Sequence, residues 1–318
     1  MVYVVELKTT QTSAVKILTD TLNSLLTDVN LNFYPFYLDD SVTENNSDSE
    51  SESESEYESE SGSDESGEED KEDKEETNKD EKKLNKKIGG VIIKEVNKTS
   101  SILVHCRLDA DKFEYYKYNY PKKKLTIGVN LANLLKCLKC MTHFDTMTWA
   151  VDDEDINKLI IILESTERNE KKLFKLNLMD LEDQKYEVDP VNFPYSINLS
   201  SQDFHKYCKD MASAADKMEI KCTNNMVFFS GKGNLGTVDF EVGESIGGLS
   251  IDVNTDKNEI VQGLFELKYL IIFTKCTNLC SSVTLYLKND YPLIVKYSVA
   301  ALGEIKLVLS PSKPKDSY

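Results

Sequence analysis

Two stretches of this chain repeat each other without a gap, and that repeat limits the folds open to it. Residues 129–151 lie over residues 265–287 at an offset of 136. Leu131, Leu134, Lys139, Cys140 and Thr148 recur as Leu267, Leu270, Lys275, Cys276 and Thr284, and Trp149 falls on Leu285. Any two amphipathic helices followed by strands share an apolar rhythm. A match that continues through helix, turn and strand goes beyond that rhythm and reads as two copies of one unit, rich in strands and holding two helices. The expected class is α+β, with two similar domains.

The first copy is interrupted. Between Glu44 and Glu81 there are 19 acidic residues and three lysines, a charge of −16 out of −17 for the whole chain. Everything else is therefore close to neutral, and the acidity belongs to one tract rather than to the folded body. Residues 41–88, with a Ser-Glu repeat from Ser47 to Glu60, have too little apolar surface to offset the entropy of ordering and are expected to be disordered. Gly89-Gly90 marks re-entry into the fold. The resulting division is a first domain over 1–181 with its insertion at 41–88, a connector over 182–194, a second domain over 195–311 and a tail over 312–318.

Periodicity fills in the elements. Val15, Leu18, Leu22, Leu25 and Leu26, three and four apart, predict a helix with Ser13 as its cap, flanked by strands. Strands follow across 91–128, then a helix over Asn130–Met141. Met147–Val151 and Leu159–Glu164 form a hairpin about the acidic turn at 152–155, and Lys171–Leu178 is a further strand. In the second half, helices are predicted over Ser200–Ala214 and Phe265–Cys276 among strands.

No run of about 18 apolar residues exists, which argues against a membrane span. The opening residues lack the pattern of a secretory signal. Seven cysteines, an odd number set in apolar stretches, argue against a disulfide framework and fit a reducing compartment. Cys137-x-x-Cys140 and Cys276-x-x-x-Cys280 have no second pair at metal-binding spacing and read as buried thiols; no metal and no cofactor is expected. Gly231-Lys-Gly-Asn-Leu-Gly236 is followed by alternating, strand-like residues, so it reads as a hairpin loop and not as a dinucleotide-binding turn. His105, His143 and His205 have no metal or catalytic spacing, and no catalytic constellation emerges. The chain is not expected to be an enzyme.

Lysines are more informative. Lys16, Lys136, Lys139, Lys206, Lys209, Lys268 and Lys275 lie on the predicted helices, opposite their apolar sides. The pairs 136/139 and 206/209 share a helix face. One such face is ordinarily just solvated. Recurrence on several helices of a near-neutral body points to phosphate contacts with duplex DNA that carry no sequence information.

Several stretches resemble the sliding DNA clamps of the proliferating cell nuclear antigen family. They are Gly128-Val-Asn-Leu-Ala-Asn-Leu-Leu-Lys-Cys-Leu-Lys-Cys140, Leu176-Asn-Leu-Met-Asp-Leu181, Phe204-His-Lys-Tyr-Cys-Lys-Asp210, Leu267-Lys-Tyr-Leu-Ile-Ile-Phe-Thr-Lys275 and Tyr291-Pro-Leu-Ile-Val-Lys-Tyr297. The resemblance implies two clamp-fold domains per subunit, helices lining the hole of a homotrimeric ring and sheets outside. It also implies a processivity factor, possessing no catalytic activity, that tethers DNA polymerase, a clamp loader and other PIP-box proteins to double-stranded DNA. The setting would be the nucleus or, for a viral member, a cytoplasmic replication site. The implied partner pocket comprises Val96, Leu103, Tyr186, Val188, Pro190, Pro292, Ser310 and Pro311, with Val308 where many members have a tyrosine. The implied subunit interface pairs Lys171–Leu178, including Lys171, Phe174 and Lys175, with Gly236–Gly243, including Asp239 and Glu241. Two rival readings remain: a checkpoint-type clamp subunit of a mixed ring, and an acidic histone-binding or scaffold protein working through the Ser-Glu tract.

Overall fold

The computed structural model describes residues 2–36, 89–141, 145–182, 191–223, 225–234, 236–255 and 259–312. The acidic tract and most of the connector lie outside them. Among the described residues the first half runs β1 (Tyr3–Thr9), α1 (Thr12–Leu25), β2 (Asp28–Tyr34), β3 (Gly90–Val96), β4 (Ile102–Asp109), β5 (Tyr115–Tyr118), β6 (Leu125–Asn130), α2 (Leu131–Lys139), β7 (Thr146–Asp152), β8 (Lys158–Ser165) and β9 (Glu170–Asn177). The second runs β10 (Tyr195–Ser200), α3 (Ser201–Ala212), β11 (Lys217–Cys222), β12 (Met226–Gly233), β13 (Gly236–Gly243), β14 (Ser250–Val253), β15 (Val261–Glu266), α4 (Leu267–Phe273), β16 (Ser282–Leu287), β17 (Leu293–Val299) and β18 (Gly303–Leu309).

The order of elements is the same in both halves, and the repeat fixes their phase. Gly90, Leu125, Leu131 and Thr146 open β3, β6, α2 and β7; Met226, Val261, Leu267 and Ser282, each 136 residues later, open β12, β15, α4 and β16. Matched residues do matched work: Leu131 and Leu267, Leu134 and Leu270, Trp149 and Leu285 are all buried. The helices start where side chains or spacing dictate. Asn130 caps α2 by accepting the Asn133 N–H at 3.0 Å, and Ser200 caps α3 through the Asp203 N–H. Their buried positions, Leu131, Leu134, Leu135 and Leu138 on α2 and Phe204, Cys208 and Met211 on α3, recur every three or four residues and face the sheets.

One sheet joins the halves. Its nine strands run β14-β10-β16-β17-β18-β4-β3-β2-β6, five from the second half and four from the first. At the seam, β18 pairs antiparallel with β4 from Gly303↔Leu108 to Leu309↔Ile102. The remaining strands form a five-stranded sheet, β5-β1-β7-β8-β9, and a four-stranded sheet, β13-β12-β11-β15. These are the repeat equivalents of the two parts of the nine-stranded sheet, left unjoined within one chain. β9 and β13 therefore end their sheets where β18 and β4 meet. Two other edges are closed alike: Met179 N–H donates to Gly128 O at 2.8 Å beside β6, and Ser312 N–H to Leu264 O at 2.7 Å beside β15.

The helices gather on one side. α1 packs on α2, α3 on α4, and α1 meets the 3₁₀ turn Thr274–Asn278 that follows α4. There Lys275 Nζ donates to Asp20 Oδ2 at 3.0 Å and to Ser24 Oγ at 2.8 Å, tying the second half to α1. The acidic tract leaves and re-enters at one place. Gly89 N–H donates to Phe36 O at 3.2 Å, and Tyr116 Oη to Tyr34 O at 2.6 Å and Gly90 O at 3.0 Å. Gly90 has φ 137°, and a Cβ there would lie 2.0 Å from Leu108 O, so the neck requires glycine.

Three local expectations are corrected. Ser13 does not cap α1; the helix starts at Thr12 after Gln11, with no side-chain cap, while Thr9 Oγ1 accepts the Gln11 N–H. The helix predicted from Phe265 begins at Leu267, because Phe265 and Glu266 complete β15 beside β11. Cys140, just past the end of α2, is exposed, and Cys137 and Cys280 are half-buried, whereas Cys276, the repeat partner of Cys140, is buried against α1. No helix among the described residues is long and apolar enough to cross a membrane. Gly233 and Gly236 pair across a β12–β13 hairpin, as read from their sequence.

Because Leu134 and Leu270 are equivalent and both buried, Leu134→Ala and Leu270→Ala should each cost about 2–5 kcal/mol. Chemical denaturation checks this; a near-neutral result for one alone would break the equivalence.

Candidate functional site

The seam between the halves floors a groove of about 670 Å³ on the sheet face away from the helices. Alternation along a strand sends every second residue to this face. Val96 on β3, Leu103 on β4, Val308 on β18 and Ile294 on β17 stand directly opposite one another across four strands and make an apolar row. Phe193, from the end of the connector, closes one side. Its ring centroid lies 5.7 Å from Tyr286 and 5.6 Å from Tyr291, the latter edge-on.

Of the pocket residues expected from the sequence, Val96, Leu103, Pro292 and Ser310 line this groove, as does Val308. Pro311 is exposed and is not among the lining residues. Tyr186, Val188 and Pro190 lie outside the described residues. Sequence reasoning missed Val191, Phe193, Tyr291 and Ile294. Ile294 was recoverable from its spacing, since it alternates with buried Leu293 and Val295; Phe193 was not, because its partners come from β16 and the β16–β17 turn.

Two residues further along the same strands, Lys94, His105, Lys306 and Lys296 form a second cross-strand row. Glu304 sits beside it and bridges Lys306 at 2.8 Å and Lys296 at 3.6 Å. The repeat supplies a comparison. Ser230 and Lys232 on β12 stand where Lys94 and Val96 stand, and by strand register Thr237 and Asp239 stand where Leu103 and His105 do. These four line a separate cleft of about 500 Å³ with Asp216, Lys217 and Glu219. The apolar row is thus built at only one of two equivalent surfaces.

On the helix side, Lys136 and Lys139 on α2 and Lys206 and Lys209 on α3 are exposed on the faces opposite their buried leucines and Phe204. Lys16 on α1 is half-buried. Lys268 and Lys275 are exposed but ion-paired, to Glu266 at 3.4 Å and Asp20 at 3.0 Å, and the Lys268 ammonium lies 4.7 Å from the Tyr269 ring centroid. At the sheet edges, Lys171 and Lys175 are exposed on β9, with Lys171 held by Glu164 at 3.0 Å. Phe174 is half-buried against the core. Asp239 and Glu241 are exposed on β13, while Phe240 packs on Tyr207 with centroids 5.4 Å apart.

Comparison with known proteins gives two adjoining family matches. Residues 78–186 match the family profile described as proliferating cell nuclear antigen, N-terminal domain, and residues 187–312 the one described as its C-terminal domain. A curated relative from Acanthamoeba polyphaga mimivirus, named a probable DNA polymerase sliding clamp, is 30% identical over 225 residues. That similarity covers 70% of this chain and 47% of the relative, so the chain spans about half of that protein's length.

His105 is the histidine of the groove, and its surroundings disfavour its charged form. Burial, then the charges of Lys306 and Lys94, with Arg107 on its own strand, lower its pKa below the ordinary 6.5, against an opposing pull from Glu304. Between the folded value and 6.5 the unfolded chain binds more protons, so this contribution to stability is full above 6.5 and declines as pH falls below it. His105→Gln should remove that component. Melting temperature followed from neutral pH downward should fall less steeply in the variant; parallel curves would contradict the assignment.

Proposed function

The chain belongs to the proliferating cell nuclear antigen family, and on that premise we propose that it is a sliding clamp, a DNA polymerase processivity factor that closes into a homotrimeric ring around duplex DNA. The observation that carries this reading is the pair of unjoined sheets. A five-stranded part ending in β9 and a four-stranded part ending in β13 are the two pieces that β18 and β4 join inside the chain. Joining β9 of one copy to β13 of the next repeats the internal seam and covers two exposed edges.

The internal seam also sets the register of the proposed joint. Ile161 pairs with Phe174 as Tyr297 pairs with Ile305, and Phe229 with Phe240 as Ile93 pairs with Cys106. Ile305 lies opposite Cys106 and Lys306 opposite His105. Translated to the joint, Phe174 lies opposite Phe240 and Lys175 opposite Asp239. An apolar pair toward the helices and an ion pair on the outer face favour copies of the same chain over a mixed ring, since both complementary edges belong to it.

The helices then line the hole, and Lys136, Lys139, Lys206 and Lys209 offer positive charge to phosphates whatever the sequence. Lys275 and Lys268 contribute less, being paired with carboxylates. The role is non-catalytic: a closed ring leaves DNA slowly although each contact is weak. Polymerase, loader and other partners dock by apolar anchors in the groove over Val96, Leu103, Val308 and Ile294. The work is done where the polymerase acts, in the nucleus or at a viral replication site.

Asp239→Lys should break the ring by setting like charges across the joint, and Lys175→Asp in the same chain should restore it. Light scattering checks the mass; an intact trimer with Asp239→Lys alone would count against the register. Replacing Lys136, Lys139, Lys206 and Lys209 by alanine should leave melting temperature unchanged and weaken retention on all duplexes alike. It should flatten the salt dependence by up to ~0.9 log units per lost contact. An unchanged slope would place these lysines away from DNA.

A further inference from the structure

The groove has two chemistries at a fixed separation. Its apolar row and the row Lys94–His105–Lys306–Lys296 occupy neighbouring outward positions on the same strands, two residues apart. At strand geometry that is about 7 Å. Like charges set directly opposite across strands destabilise a sheet, and here Lys306 faces Lys296, while Lys94 and Lys306 flank His105 and oppose its protonation. Glu304 is shared between Lys306 and Lys296. Nothing in the fold's topology demands such a row: at the equivalent surface Ser230 and Asp239 take the places of Lys94 and His105. Three of the basic groups, Lys94, His105 and Lys306, face into the groove with the apolar residues.

We propose that the groove selects partner peptides carrying one or two acidic side chains a single helical turn from their apolar anchors, the carboxylates resting on Lys94, His105 and Lys306. The separation of the rows matches the distance between side chains three or four apart on a helix, about 5–6 Å, with the reach of a lysine making up the remainder. Carboxylates on this row are met by the charged donors of Lys94 and Lys306 and favour the protonated form of His105. A basic flank on the peptide meets the same row and is rejected. The occupant is a segment of a partner protein, and the inference rests on the docking reading of the groove.

Three labelled peptides with identical apolar anchors test it, their flanks bearing two Glu, two Gln or two Lys, each titrated with the full chain by fluorescence anisotropy. The Glu peptide should bind about tenfold or more tighter than the Gln peptide, and the Lys peptide weaker than either. The gap should shrink with added salt. Lys94→Glu with Lys306→Glu should invert the order; if charge reversal disturbs the sheet, Lys94→Gln with Lys306→Gln should flatten it. As a second readout, the Glu peptide should move the NMR titration of His105 upward and the Gln peptide should not. Equal affinity for the Glu and Gln peptides would overturn the inference while leaving the groove as a docking site. Failure of all three to bind would remove both. A chain lacking residues 44–81 that binds the Glu peptide far more tightly than the full chain would show that its own acidic tract occupies the row, and would overturn the assignment to a partner.

Discussion

The backbone ladder between β4 and β18 is the constraint on which the rest of this molecule depends. It makes one sheet out of strands that are far apart in sequence, and so fixes how the two halves sit. Both rows of the groove cross it, since Leu103 and Val308 are cross-strand partners, as are His105 and Lys306. Slipping either strand by one residue would turn its outward residue, Leu103 or Val308, inward and bring Val104 or Leu307 out. The buried side chains on both sides of the seam, Val104, Cys106, Ile305 and Leu307, forbid that slip. Register here is therefore set by the core and read out at the surface.

The same ladder explains how two copies of one unit came to differ. Equivalent outward positions are free to diverge because the core does not see them. At the internal seam they hold Val96 and Leu103; at the other surface they hold Lys232 and Thr237. On the proposed ring reading, each subunit then offers one apolar groove and one polar cleft at alternate seams. The helices show the same freedom. Lys139 and Lys275 are repeat partners, yet Lys139 is exposed on α2 and Lys275 is committed to Asp20 on α1.

Much of this was legible in the sequence, for a physical reason. The repeat could be read because burial constrains both copies alike: Leu131 and Leu267, or Trp149 and Leu285, answer to the same packing. Helix spans followed from apolar spacing and from Asn130 and Ser200 at their starts. What escaped was set by tertiary contact. Phe265 looks helical by its pattern, but pairing with Met218 on β11 holds it in a strand. Cys140 and Cys276 are identical in the repeat and opposite in exposure, because only the second half places α1 over that turn. In the groove, Val96, Leu103 and Pro292 came from family resemblance, whereas Phe193 depends on rings from β16 and the following turn. The basic row was invisible in sequence, since its four members come from four strands and only register sets them side by side.

The clasp at the base of the acidic tract bears on how such a chain evolves. With Phe36 and Gly89 hydrogen-bonded and Tyr116 holding the carbonyls of Tyr34 and Gly90, the fold fixes the two ends between which residues 37–88 run. Closing a longer excursion between fixed ends costs little more than closing a short one. The length of the insertion is thus only weakly constrained by the core. Such a neck is a socket: segments of very different length can be carried between its two ends without renegotiating the fold.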